Sequence, residues 1–298
     1  MTSLKRKRQE LKEALLRLAS ILCAAAALYA MAMLVIIFRN YRQIGELYGG
    51  MEARYAQKEA ADPERKRPFD SVEDEEISMR QAWEDDSYYE DAEVPVRIDW
   101  GGLLSESGSI VGWIYADSLG ISYPVAQGED NEYYLHHTPG GDYLFAGTIF
   151  LSCGNSPDFS DANSIVYGHN MKNGSMFGNN GRLKDQAAYD EDPYFWILTP
   201  EGNYRYHIYS VTVARPETEP YMLWKEGGPE FLVWEKALQR QSLVKNDVEL
   251  RETDHTVILS CCEADPDKRT LIIGRCCSPV QPPEYGHQDS HDAQAGSF

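Results

Sequence analysis

The sequence is short of positive charge: 28 Lys and Arg stand against 47 Asp and Glu, a formal net charge of −19. That shortage excludes a nucleic-acid partner, because holding a phosphate backbone takes cationic surface. Cysteine is scarce as well, six in 298 residues, too few for a disulfide scaffold of this length. The 23 glycines and 15 prolines follow no period, which excludes collagen-like and low-complexity classes. No internal repeat is visible. What remains is 43% hydrophobic, enough for one domain of about 180 to 200 residues with appendages.

The few basic residues are concentrated at the start. Residues 1–42 contain Lys5, Arg6, Lys7, Arg8, Lys12, Arg17, Arg39 and Arg42 against only Glu10 and Glu13. Residues 18–38 carry no charge; as a helix rising about 1.5 Å per residue they span roughly 31 Å, the thickness of a bilayer's hydrocarbon core. Most of the basic residues precede this segment, so the positive-inside rule places residues 1–17 in the cytoplasm and the chain after Arg39 outside. A cleaved signal peptide is the rival, with small residues at 24–27 and Ala30 as a cleavage-like site, but its apolar region would be shorter, about 7–15 residues. A soluble core helix would need a polar face, and none interrupts the run.

Residues 39–93 are expected to form an acidic extracellular stalk. Between 70 and 93 Arg80 is the single base among eleven acids, and such self-repelling sequence stays extended; residues 41–64 are expected to be partly helical. The acidic run lacks the spaced ligands and turn glycine of a calcium loop. Residues 280–298 are polar and read as a disordered tail, with His287 and His291 solvated.

The folded part is then residues 94–279. Apolar runs at 111–115 and 121–125 flank a turn and predict a hairpin. Further β-rich runs follow at 143–152, 163–169, 203–216, 255–262 and 269–277. One helix is predicted from Pro229 to about Leu243, with Phe231, Trp234 and Leu238 on its apolar face and Val233 and Ala237 broadening it; Pro229 suits the first turn. Many short strands with one long helix indicate a β-barrel or sandwich.

Chemistry concentrates at two strand ends. If 256–262 and 269–277 form a hairpin whose loop is 263–268, Cys262 faces Arg269, with Cα atoms about 4.5–5.5 Å apart. Arg275 then faces Thr256, about 20 Å along the strand at roughly 3.3 Å per residue, and reads as structural. The same register separates Cys276 and Cys277 from Cys261 and Cys262 by a similar distance. One zinc, with sulfur bonds of about 2.3 Å, cannot join them, and neither can a disulfide, whose Cα atoms lie within about 7 Å. Adjacent strand residues point to opposite faces, so Cys261 and Cys262 cannot both line one site. No metal or cofactor is expected.

A cysteine nucleophile needs a proton-transfer partner. His207 lies inside a strand run, His255 sits at the far end of its strand from Cys262, and His136 and His137 fall in a polar stretch suited to a turn. His169 ends the strand-like "SIVYGH" beside a loop. A lone histidine is usually a satisfied polar group, but this placement makes His169 the best candidate.

At these residues the chain resembles a known family. "IVYGHNMKNGSMFG" (165–178), "VILSCC" (257–262) and "KRTLIIGR" (268–275) resemble the His, Cys and Arg motifs of class B sortases, membrane-anchored cysteine transpeptidases of Gram-positive bacteria. Similarity extends through "IVGWI" (110–114), "YPVAQGEDNEYYLHH" (123–137), "AGTIFLS" and "DFSDANSIVYGHNM", covering nearly all of 94–277.

The resemblance implies a mainly β fold, a closed sortase-like barrel with peripheral helices, one of them long and just before the cysteine strand. It implies Cys262 as nucleophile, His169 as acid and base, and Arg269 as the cation at the developing oxyanion. It also implies cleavage of a Thr-X bond in the C-terminal sorting signal of a secreted protein. The acyl group would pass to an amine, such as a cell-wall precursor or a pilin lysine. An extracellular cysteine protease and a catalytically silent tethered binding module are the alternatives. Two positions depart from the family pattern. Cys261 replaces the usual Thr before the nucleophile, and "LSCGN" (151–155) holds Cys153, which reads as a free thiol or packing residue.

Overall fold

The computed structural model describes residues 2–58, 94–262, 265 and 267–280. The acidic run at 70–93 and the tail beyond 280 lie outside them. Two compact units divide the chain, Met1–Arg54 and Tyr55–Phe298.

The first unit is helical: α1 spans Thr2–Tyr55. Within Leu15–Tyr55 an 18-residue window reaches a mean hydropathy of 2.7 and none of it is buried. By length and composition the helix can cross a membrane. It runs on through residues 39–55, which contain no proline, so the helical continuation expected beyond residue 41 ends at Tyr55.

The second unit begins earlier than residue 94. Strand β1 (Ala56–Lys58) pairs antiparallel with β2 (Val96–Ile98). Helix α2 (Trp100–Glu106) follows, capped by the Asp99 carboxylate, which accepts from the Gly102 amide, so Gly101 and Gly102 open a helix. Strands β3 (Ile110–Ala116) and β4 (Ile121–Gln127) form the expected hairpin around Gly120, whose φ of 63° is the left-handed conformation that glycine adopts freely. Next come β5 (Ile149–Leu151), β6 (Asn163–Gly168), helix α3 (Gln186–Glu191), β7 (Tyr194–Leu198) and β8 (Asn203–Ala214). Helix α4 (Pro229–Arg240), β9 (Thr256–Cys262) and β10 (Arg269–Val280) follow.

Strands β3–β10 close into a barrel in the order β10-β8-β7-β3-β4-β5-β6-β9. The β4/β5 and β6/β9 pairs are parallel and the others antiparallel. Closure removes the exposed edges on which open sheets aggregate. Strand residues alternate between a face lining the barrel and a face turned outward. Helix α4 covers part of the outward face: Phe231, Trp234 and Leu238 pack in one cluster with Ile165, Tyr209, Ile258, Leu271 and Ile273. Fully burying such side chains contributes about 1.5–3 kcal/mol each.

Two expectations about this helix are corrected. It ends at Arg240 rather than near Leu243. Val233 is 65% exposed, because at about 100° per residue it points some 200° around the helix from Phe231. Glu235 occupies the buried face instead. Its Oε1 accepts from the Thr256 hydroxyl at 2.6 Å, and burial raises its pKa to about 8, eased by that hydrogen bond.

Candidate active site

Three adjacent strands build the site. In the β9/β10 register Cys262 lies opposite Arg269, and Arg275 opposite Thr256, as the hairpin reading expected. On the other side of β9, parallel β6 pairs Tyr167 with Ser260 and Gly168 with Cys261. His169 and Cys262 are the residues that follow this last pair on their two segments. The paired register ends at that pair; His169, the first residue past β6, lines the same cavity as Cys262 and Arg269. The Asn170 side-chain amide donates to the Cys262 carbonyl at 2.7 Å.

Strand alternation decides which groups share a face. Ile165, Tyr167, His169, Ser260, Cys262 and Arg269 all line one cavity of 440 Å³. Cys261 points the other way. It is 2% exposed, and its thiol donates to the Phe177 carbonyl at 3.2 Å. The segment between β8 and α4 contributes Pro216, Glu217, Tyr221 and Leu223 to the cavity lining.

His169 is half-buried, and its Nε2 lies 2.8 Å from the Leu135 carbonyl. A carbonyl only accepts, so Nε2 carries a proton and Nδ1 is left for proton exchange. Burial lowers the pKa of His169, and the neighbouring His136 and Arg269 add to that effect, while the Leu135 hydrogen bond opposes it. The supporting carbonyl depends on Gly147. A Cβ there would come within 2.4 Å of the Leu135 oxygen and 2.1 Å of the Tyr134 oxygen, and its φ is 55°. The ring of His136, an exposed residue assigned above only to a turn, stacks on His169 with centroids 5.6 Å apart.

The segment between β8 and α4 is tied to the base of β6. Buried Asn163 accepts from the Trp224 amide at 2.6 Å and donates to the Met222 carbonyl at 2.8 Å. The Lys225 ammonium donates to Asp161 at 2.9 Å and to the Gly154 carbonyl at 2.7 Å. These contacts hold Tyr221 over the site, where its hydroxyl shares a 2.8 Å hydrogen bond with Ser260. On the adjoining wall burial pushes Tyr167 up to about 12. Walls of Leu135, Phe150, Ile165 and Leu223, interrupted by Asn131, Ser152 and Ser260, suit a peptide with apolar side chains and a backbone that needs a few fixed hydrogen bonds.

The other candidates lie elsewhere. Arg275 pairs with Asp254 at 3.6 Å with both side chains nearly buried. His207 is buried within β8, and burial lowers its pKa to about 3. His255 Nδ1 lies 3.1 Å from the Asp161 carbonyl. Cys276 donates its amide to the His255 carbonyl at 2.8 Å, far along β10 from Cys262. Cys153 is an exposed thiol whose amide donates to Asn131 at 2.8 Å, so it is not a packing residue. Sequence reasoning missed Tyr221, Glu217, Asn170 and the Leu135 carbonyl, because only the closed barrel brings them to Cys262.

No family model matches the chain. It is 34% identical over 183 residues to sortase B of Listeria monocytogenes, a match spanning 60% of this chain and 73% of the relative. The structure of Bacillus anthracis sortase B in complex with AAEK1 aligns with a TM-score of 0.62 at 23% identity, covering 80% of this chain and 98% of that one. A Staphylococcus aureus sortase B–substrate complex aligns with a TM-score of 0.56 at 23% identity, covering 59% of this chain and 83% of that one.

Proposed function

The chain belongs to the sortase B family, a family of cysteine transpeptidases, and from that premise we propose that Cys262, His169 and Arg269 perform the transfer. The Cys262 thiolate attacks the carbonyl of a Thr-X bond in a sorting signal, and His169 protonates the departing amine. A thioacyl enzyme results. His169, now neutral, takes a proton from an incoming amine, whose nitrogen displaces the sulfur. Arg269 holds the developing oxyanion or the substrate backbone. The observation that carries this reading is that all three residues line one 440 Å³ cavity, with Cys262 directly opposite Arg269. The Staphylococcus aureus sortase B structure was solved as a substrate complex, which supports a substrate-binding role for the matching fold.

The test is a library of Thr-containing sorting peptides offered to the full chain with and without triglycine. A peptide-triglycine conjugate is expected, growing with triglycine at the expense of the hydrolysed peptide. Cleavage that yields only acid at every triglycine concentration would make the protein a protease and overturn the proposal.

For placement, residues 18–38 cross the membrane, 1–17 lie in the cytoplasm, and 94–279 lie outside together with strand β1. The basic excess before residue 18 and the 18-residue window of hydropathy 2.7 support it. A C-terminally tagged protein is expected in the membrane fraction, with external protease releasing the domain. A soluble chain starting near residue 30 would sink this placement.

A further inference from the structure

We propose that Glu217 binds the ammonium group of the amine acceptor; this rests on the transfer reading above and deepens it. Among the described residues, Glu217 is the one carboxylate lining the cavity that holds Cys262, His169 and Arg269. Among the described residues no ion pair engages it. Its backbone is unusual: φ is 61°, a left-handed conformation that glycine adopts freely and a residue with a Cβ does not.

Glu217 sits in a hydrogen-bonded turn. The Thr218 hydroxyl donates to the Arg215 carbonyl at 2.6 Å, and the Tyr221 amide donates to the Thr218 carbonyl at 2.9 Å. The turn that brings Tyr221 over Ser260 thus also sets Glu217 on the cavity wall. Strained non-glycine residues concentrate where a site needs a particular side chain in a particular place.

The chemistry of the second half-reaction gives that carboxylate a use. A primary amine arrives at neutral pH as R–NH₃⁺, in a cavity already holding the Arg269 cation, and a carboxylate offsets that repulsion. One proton then passes to His169. The amine nitrogen forms a bond to the thioester carbon, the C–S bond breaks, and the second proton leaves with the sulfur as the Cys262 thiol. Amide, thiol and imidazolium balance the ammonium, thioester and neutral imidazole that enter.

The experiment measures partition of one thioacyl enzyme between amine and water, using the full chain and a Thr-containing peptide that the wild type cleaves. Triglycine is the charged acceptor, and hydroxylamine, uncharged at neutral pH, is the control. In Glu217→Gln the ratio of triglycine product to acid should fall by about tenfold, the loss of one charge-assisted contact, while the hydroxylamine ratio moves less than twofold. Glu217→Gly, which relieves the backbone, should show the same selective fall. An unchanged triglycine ratio, or an equal fall for both amines, would overturn the assignment. Absence of any amine product from the wild type would overturn the parent reading and this one with it.

Discussion

Cys262→Ala is expected to abolish thioacyl formation, whereas Cys261→Thr should retain activity within about threefold. Two adjacent thiols compete for one role, and strand geometry separates them. Cys262 lines the cavity opposite Arg269. Cys261 is buried on the other face with its thiol on the Phe177 carbonyl. A threonine hydroxyl can make the same donation, and β-branched residues suit a strand. Peptide cleavage by purified variants gives the rates. Full activity in Cys262→Ala would show that the wrong sulfur had been chosen.

Arg269→Ala should lower the rate of acyl transfer by about 10²- to 10³-fold, the usual consequence of removing one oxyanion donor. Arg275→Ala should instead lower stability. Arg275 and Asp254 form an ion pair with side chains 12% and 7% exposed, and breaking a buried pair by removing one partner costs roughly 3–5 kcal/mol. Denaturant melts and single-turnover kinetics on both variants separate the two effects. Equal, large rate losses in two well-folded proteins would contradict the assignment of Arg269.

The link between Cys262 and Arg269 was legible because a short loop joins two β-rich runs and fixes their register. The link between Cys262 and His169 was not. It runs through the parallel β6/β9 pair, and parallel neighbours are joined by long crossovers that leave no local turn signal. His169 could be singled out by its strand-end position, but not placed beside the thiol. Strand β7 (Tyr194–Leu198) was missed because its five residues show no alternation: four are buried, as barrel closure puts cover on both faces. The early start of the second unit was missed for a related reason, since β1 meets its partner β2 only across 37 intervening residues. Glu235 fell on a helix face read as purely apolar; its burial is made tolerable by Thr256, a partner distant in sequence.

The central claim is a covalent thioacyl intermediate on Cys262 that an amine resolves. Intact-protein and tandem mass spectrometry of the wild type mixed with a cleavable sorting peptide, before and after addition of triglycine, tests it most directly. The expected result is an adduct equal in mass to the acyl fragment, located on Cys262, that disappears as the triglycine conjugate forms. An adduct on Cys261, or product formation with no adduct at any time point under rapid acid quench, would contradict it.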